Sequence, residues 1–411
     1  MRRLVVVGAS LAGLRAAQAA RSAGYDGGLV VIGDEPHLPY TRPPLSKEML
    51  HSGQTGEQSA FPIGELDVDW RLGTGAVALD RARRQLTLAD GEHVSYERLI
   101  IATGCRARQW EGPGSGLPGV MTLRTLDDAL ALQTRLRDAG HILIVGAGFI
   151  GCEVAASARS LGVDVTLIDI APHPMLPLGP ELGERWLQMH SGHGVDLRMS
   201  VGVDSLEGNG RVEHARLTDG TRIDTDLVLI ALGSRLNSEW LSGSGLEMNP
   251  GIVTDATLTS VSDPNVLAAG DIAASPVALA DGAPTRIEHW TTAAEHGQLA
   301  GRNALLDHAE RTPHLNPPYF WTDQYDVKIQ SIGYGGGADR TELIESDPEG
   351  ERYVAARLRG DRVVSAIVVN APRRMLFYRK QIASGPALAE LRELVSADPK
   401  SLGVPAAGAS L

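Results

Sequence analysis

The chain has 411 residues, enough for two or three domains, and its 43% hydrophobic content with 47 Gly and 23 Pro describes a turn-rich globular protein. A formal net charge of −12 argues against general nucleic-acid binding, because a polyanion would be repelled. No run of about 18 apolar residues occurs, so no membrane-spanning helix is expected, and the two cysteines, Cys105 and Cys152, form no close pair, as in a cytoplasmic protein kept reduced.

The opening Met1-Arg2-Arg3 and the apolar Leu4-Val5-Val6-Val7 could pass for a signal peptide. The run is too short, and Gly8 begins a glycine fingerprint at once, so it reads as a first strand. Residues 3–33 predict strand, helix, strand around Gly8-Ala9-Ser10-Leu11-Ala12-Gly13. Gly8 permits a tight turn, and Gly13 lets helix and strand pack closely. The middle position lets backbone approach a pyrophosphate at the helix N-terminus. Ser10 stands where the pattern has glycine; its hydroxyl can donate to phosphate. Asp34 or Glu35, after the apolar run 29–32, would accept from a ribose. The competing reading is an ordinary strand-to-helix turn.

Residues 36–45 are too rich in proline for a regular helix or a central strand. Residues 72–101 predict short strands that turn at Ala89-Asp90-Gly91 and lead into Ala102-Thr103-Gly104. Gly112-Pro113-Gly114-Ser115-Gly116 marks a boundary, and 120–138 reads as helix. Residues 141–168 then repeat strand, helix, strand around a complete fingerprint, Gly146-Ala147-Gly148-Phe149-Ile150-Gly151. Asp169 follows the apolar run 165–168, where a carboxylate binds a ribose 2′-hydroxyl. A 2′-phosphate would be repelled there, and 170–173 offer no Arg or Lys to hold it, so NADH is expected over NADPH. A purely structural glycine turn is the alternative.

Further strands are expected at 195–201, 212–217 and 226–231, the last ending at Ala231-Leu232-Gly233. Strand segments over 252–270 close on Ala268-Ala269-Gly270-Asp271, and 292–306 fits an amphipathic helix. Pro313, Pro317 and Pro318 mark a second boundary. Beyond it, 326–333, 352–358 and 362–369 suggest an antiparallel sheet, followed by a helix near 387–395 and a loose tail. The 12 histidines are scattered and no metal-ligand spacing appears, so no metal is expected. Two fingerprints suggest two dinucleotides in one protein, with electrons passing between them.

The resemblance then becomes specific. Tyr40-Thr41-Arg42-Pro43-Pro44-Leu45-Ser46-Lys47 resembles the R-P-P-L-S-K motif of the FAD-dependent ferredoxin reductases of bacterial oxygenase systems, of the putidaredoxin reductase and biphenyl dioxygenase reductase types. Phe320-Trp321-Thr322-Asp323-Gln324-Tyr325-Asp326 is similar to their F-W-S-D-Q-Y-D signature. Ala268-Ala269-Gly270-Asp271 is similar to their second FAD motif, and Glu288-His289-Trp290 to their E-x-W segment. The match runs from the first strand to about residue 385.

The resemblance implies an α/β fold of two Rossmann-like, glutathione-reductase-like dinucleotide domains plus a C-terminal α+β domain. Their expected extents are 1–110 with 245–312 for FAD, 111–244 for NADH, and 313–411. It implies FAD at the first fingerprint, NADH at the second, and a 2Fe-2S ferredoxin as acceptor, itself serving a cytochrome P450 monooxygenase system or a ring-hydroxylating dioxygenase. Carried onto this chain, Arg42 and Lys47 would contact flavin and phosphates, and Val77 would hold the adenine through its backbone. Asp271 would accept from the ribityl hydroxyls. Trp290, after His289, would present backbone N–H to the flavin pyrimidine end. Glu153 would sit by the nicotinamide and pair with Lys47. Trp321 would lie near the flavin, where it either carries electrons or packs. Thr103, Gly104, Gly233 and Gly270 join the cofactor-binding candidates through their motifs.

Disulfide reductases on this fold need a redox cysteine pair in the first domain, and this chain has no cysteine before Cys105. Cys152, on the nucleotide-binding helix, reads as a small buried apolar residue. A ferredoxin is acidic, so its dock should be locally basic. Candidates are Arg311, Arg340, Arg373, Arg374, Arg379 and Lys380, against the plain alternative of a solvated charged surface. A monomer or weak dimer is expected. An NADH oxidase or small-oxidant reductase is the second enzymatic reading, and a nucleotide-sensing flavoprotein the non-enzymatic one.

Overall fold

The computed structural model describes residues 3–53 and 55–403. Of the loose tail expected after the helix near 387–395, residues from 404 onward lie outside the described residues, whereas Ser401 Oγ and Leu402 N–H both donate to Glu345 Oε2 at 2.9 Å. Two compact units emerge: Met1–Thr41, Ala60–Arg106 and Arg235–Phe320 form one, and Arg42–Ser59, Ala107–Ser234 and Trp321–Leu411 form the other.

The first unit is built on a five-stranded parallel sheet. Its order is Val266–Ala268, Arg98–Ile101, Arg3–Val7, Gly28–Ile32, Asp69–Arg71. Leu4, Val5 and Val6 are fully buried because a parallel sheet is covered on both faces, which is why this run does not alternate with polar residues. The helix Leu11–Ser22 packs its alanine-rich face on the helix Trp290–Asn303. Gly297 and Gly301 permit that approach: a Cβ on either would lie 2.3 or 2.2 Å from a carbonyl oxygen of the first helix. Two small three-stranded sheets complete the unit, one of them Ala76–Asp80, Gln85–Leu88 and His93–Ser95.

The second unit repeats the architecture. Its parallel sheet runs Asp196–Met199, Asp164–Asp169, His141–Val145, Leu227–Ile230, Val120–Thr122. Residues 120–138 are thus not one helix. They form an edge strand and then the helix Leu126–Asp138, opened by Thr125, whose side chain accepts from Asp128 N–H while Asp128 accepts from the Thr125 N–H. Val203–Glu207 and Arg222–Asp224 add two strands beside His214–Leu217.

The same unit carries an antiparallel sheet ordered Tyr319–Gln324, Val327–Gly333, Arg362–Val369, Tyr353–Arg359, Arg340–Ser346. The helices Met375–Ile382 and Leu388–Ser396 follow. Strand Arg340–Ser346 and helix Met375–Ile382 go beyond the sequence expectations. The strand hides in sequence because Glu345 is fully buried, held by Arg374 Nε at 2.7 Å, Tyr378 Oη at 2.8 Å and Ser401 Oγ at 2.9 Å.

Candidate active site

In the first unit the fingerprint is clamped by close backbone approach. Gly8 has φ +118°, and a Cβ there would lie 2.1 Å from Ala102 O. A Cβ on Gly13 would lie 1.8 Å from Gly8 O. Both contacts exclude any larger residue. Gly8 therefore sits against the Ala102-Thr103-Gly104 segment, and Gly104 lies 4.0 Å, measured from a Cβ position, from Asp271 Oδ2. Gly270 packs against Ala12 and Ala293, at 3.2 and 3.5 Å by the same measure. Thr103 is fixed by Asn237, whose backbone O accepts from Thr103 Oγ1 at 2.9 Å. Residues far apart in sequence thus meet around the N-terminus of the helix Leu11–Ser22.

That N-terminus suits an anion. Ser10 is its N-cap and makes no side-chain capping bond, and no acidic residue occupies the first turn. The first N–H groups of a helix lack intrahelical partners, and the helix dipole adds positive charge there. Asp34 is exposed and accepts from Glu35 N–H at 3.1 Å; the Glu35 carboxylate accepts from Tyr40 Oη at 2.5 Å. Gly75 lies beside Asp34, and Val77 is the unpaired residue of a β-bulge, since the register jumps between Ala76 and Ala78. Its backbone groups are left out of that strand ladder. Helix Trp290–Asn303 starts one residue before Thr291 and carries no acid in its first turn. His289 N-caps it without a side-chain bond; desolvation pulls its pKa to about 4, and its buried Nδ1 has no hydrogen-bond partner among the described residues. Open helix ends, a bulged backbone edge at Val77 and an orphaned ring nitrogen fit FAD.

Sequence reading missed one neighbour here. Cys105 is buried and its Sγ donates to Asp271 Oδ2 at 3.2 Å, with Glu288 Oε2 at 3.7 Å. The ligand atoms of these three residues fall within 4.8 Å of one another.

In the second unit a Cβ on Gly151 would lie 1.9 Å from Gly146 O, and one on Gly146 would lie 2.4 Å from Ala231 O. A Cβ on Gly148 or Gly233 would meet no protein atom within 4 Å, so neither glycine is demanded by packing. Gly148 is the N-cap of helix Phe149–Ser160 and has no side chain to cap it; no acid follows in the first turn. Asp169 accepts from Ala147 N–H at 2.6 Å and from Ala171 N–H at 2.8 Å. It therefore shapes the fingerprint turn and remains half-buried at the end of its strand.

The same unit holds the predicted ion pair. Lys47 Nζ lies 2.8 Å from Glu153 Oε1, with side chains only 13% and 5% exposed. Two hydroxyls complete the carboxylate: Ser46 Oγ donates to Oε2 at 2.5 Å and Thr322 Oγ1 to Oε1 at 2.6 Å. Two buried charges are tolerated only when paired and hydrogen-bonded in this way. Ser46 and Thr322 stand inside motifs quoted from sequence, yet their bonding to Glu153 has no local sequence signal. Arg42 Nη1 donates to Arg124 O at 2.6 Å. Trp321 is half-buried on the strand face opposite Thr322.

Two docking candidates are corrected. Arg311 is 7% exposed and donates to Thr259 Oγ1 at 2.7 Å; burial lowers its pKa. Arg374 is 3% exposed, held by Glu345 and by Asp398 Oδ2 at 2.5 Å. Both hold the interior together and offer no charge to a partner. Arg340 is half-buried and paired with Glu342 at 2.9 Å. Arg373, Arg379 and Lys380 are exposed, around Leu376, itself 80% exposed.

Cys152 is fully buried on the nucleotide helix, and burial raises its pKa well above the ordinary thiol value. With Cys105 bonded to a carboxylate, neither thiol has the character of a disulfide relay.

Residues 2–297 match the pyridine nucleotide-disulphide oxidoreductase family and residues 319–400 the reductase C-terminal family. The chain is 34% identical over 387 residues to the rhodocoxin reductase of Rhodococcus erythropolis, covering 93% of this chain and 89% of that one. It is 34% identical over 378 residues to the biphenyl dioxygenase system ferredoxin–NAD(+) reductase component of Paraburkholderia xenovorans strain LB400, covering 90% of each. Among solved structures, the covalent putidaredoxin reductase–putidaredoxin complex superposes with a TM-score of 0.88 at 30% identity, covering 95% of each chain.

Proposed function

The chain belongs to the pyridine nucleotide-disulphide oxidoreductase family, among the ferredoxin–NAD(+) reductases of oxygenase systems, and on that premise we propose that it oxidises NADH and delivers the electrons singly to a 2Fe-2S ferredoxin serving a cytochrome P450 or ring-hydroxylating dioxygenase. NADH gives up a hydride, two ferredoxins take one electron each, and one proton is released. The observation that carries the reading is the buried Lys47–Glu153 pair in the unit that holds the complete fingerprint. Bound FAD supplies the conversion between hydride and single-electron chemistry.

The protein's part is to bind and orient. The first fingerprint, with Gly8, Ser10 and Gly13, takes the FAD pyrophosphate at its helix end. Asp34 and Glu35 stand at the ribose, Val77 offers backbone to the adenine, and Thr103, Gly104, Gly270 and Asp271 line the ribityl side. The Asp271 carboxylate is an acceptor for sugar hydroxyls. The helix that begins at Trp290, capped by a neutral His289, favours negative charge at the flavin's pyrimidine edge.

Gly146, Gly148, Gly151 and Gly233 receive NADH, with Asp169 at the ribose. Lys47 and Glu153 present a fixed charge pair at the nicotinamide, Arg42 supports the segment that carries Lys47, and Trp321 borders the electron path. The domain extents proposed are those of the sequence reading, and cytoplasmic operation is supported by two buried cysteines, Cys105 and Cys152, that form no disulfide. No helix among the described residues is long and apolar enough to cross a membrane.

For the dock we propose the exposed face that carries Arg373, Arg379 and Lys380 around Leu376. Opposite charge steers encounter, and a central apolar side chain can serve as an anchor. Reversing Arg379 and Lys380 to Glu is expected to raise the KM for ferredoxin about tenfold, more at low salt, with ferricyanide reduction unchanged. Equal losses with both acceptors would remove this face from the dock.

A further inference from the structure

We infer that Gln324 is a positioning residue of the hydride-transfer site: its amide, held between His190 and Thr322, orients the Thr322 hydroxyl toward Glu153 and anchors Met175 in the loop beyond Asp169. The inference rests on the function proposed above.

His190, on helix Gly183–Gly192, is fully buried, and its Nε2 lies 3.0 Å from Gln324 Oε1. An amide oxygen only accepts, so Nε2 carries the hydrogen and Nδ1 is bare. Nδ1 then accepts from Tyr325 Oη, 3.1 Å away. Desolvation pulls the His190 pKa to about 4, so this neutral form persists at working pH. The Gln324 amide nitrogen has two hydrogens and two acceptors, Thr322 Oγ1 at 3.1 Å and Met175 Sδ at 3.0 Å. The direction is set at the other end: the Glu153 carboxylate, paired with Lys47, only accepts, so Thr322 Oγ1 donates to it, accepts from the Gln324 amide N–H, and leaves Gln324 Oε1 to face His190 Nε2. The Gln324 N–H on the Thr322 oxygen holds that hydroxyl in the rotation that points its hydrogen at Glu153 Oε1. Every donor and acceptor role from Tyr325 to Glu153 is thus fixed in one direction.

Two further features support a functional track. Tyr325 has φ +56°, uncommon for an aromatic residue, in the two-residue turn after strand Tyr319–Gln324. It is kept there by its bond to His190 and by stacking on His193, with ring centroids 3.6 Å apart and planes 9° from parallel. Such strain persists only where the surroundings impose it, and it clusters at working sites. Met175 also has positive φ, +50°, and its N–H donates to Ala147 O at 2.8 Å. Ala147 is the fingerprint residue whose N–H is held by Asp169. Gln324 therefore touches two determinants at once: the carboxylate beside Lys47 and the loop that shapes the nucleotide turn.

The test uses the purified flavoprotein with Gln324→Met, Thr322→Val, their double variant, His190→Gln and His190→Leu. NAD+ affinity is measured by calorimetry, and the rate of flavin bleaching at saturating NADH by stopped flow. Gln324→Met is expected to slow bleaching about tenfold and weaken NAD+ about fivefold, while Thr322→Val slows bleaching alike with NAD+ affinity within about twofold. The double variant is expected to be no slower than Gln324→Met, because both lie on one track. His190→Gln, which keeps a donor to Gln324, stays within about twofold of wild type on both measures, and His190→Leu behaves as Gln324→Met. If His190→Leu does not fold, the other variants decide. Wild-type values for Gln324→Met, multiplied losses in the double variant, or a His190→Gln as slow as Gln324→Met would each overturn the inference. A wild-type protein that NADH does not bleach would instead overturn the proposed function.

Discussion

Replacing Glu153 with Leu is expected to destabilise the protein by about 3–5 kcal/mol, the usual cost of leaving a buried charge without its partner. Lys47 would keep a backbone contact, Pro43 O at 3.3 Å, and lose the carboxylate with which it is paired. Ser46 and Thr322 would lose their acceptor as well. Because the chain has two compact units, the measurement is the midpoint of the thermal transition, expected to fall by roughly 10 °C for a unit of this size. Lys47→Met costs less, since the two hydroxyls still satisfy the carboxylate. The double variant Lys47→Met with Glu153→Leu recovers part of the loss, because no unpaired charge remains. Additive losses in the double variant would show that the pair is not coupled. Flavin reduction by NADH should be impaired in all three, the double variant included, since stability can be restored without the charges.

The second large effect comes from the paired fingerprints. Gly13→Ala sets a Cβ 1.8 Å from Gly8 O, and Gly151→Ala sets one 1.9 Å from Gly146 O. Neither neighbour is a flexible side chain, so the turn itself must move. Gly13→Ala should purify without flavin. Gly151→Ala should purify yellow, bleach with dithionite, and bind NADH about 100-fold more weakly, a loss of about 2.7 kcal/mol. The reverse pattern, a colourless Gly151→Ala and a yellow, NADH-blind Gly13→Ala, would exchange the two assignments.

What the sequence made legible was local. Glycine spacing, apolar runs and the Lys47-bearing motif carry their meaning within a few residues, and the structure realises the strand–helix–strand units around both fingerprints. What escaped was non-local or hidden by burial. Arg311 and Arg374 look like surface charges in sequence, yet their guanidinium groups are interior cross-links, because charge alone says nothing of depth. Thr125 with Asp128 was a readable capping pair that places the helix start after a short strand, but a continuous polar–apolar pattern over 120–138 masks it. Gln324, His190 and Met175 are separated by up to 149 residues, and only the fold shows that they share one hydrogen-bonded track. Cys105 directly follows Ala102-Thr103-Gly104, with no hint in the sequence that its thiol meets Asp271.

The most direct measurement is the steady-state rate of NADH oxidation by the purified flavoprotein, with air as the only acceptor and then with a 2Fe-2S ferredoxin added. The account predicts slow oxidation in air and a stimulation of at least about tenfold by ferredoxin, with ferredoxin reduced two for each NADH consumed. A rate that ferredoxin leaves unchanged would contradict it and point to an oxidase or small-oxidant reductase.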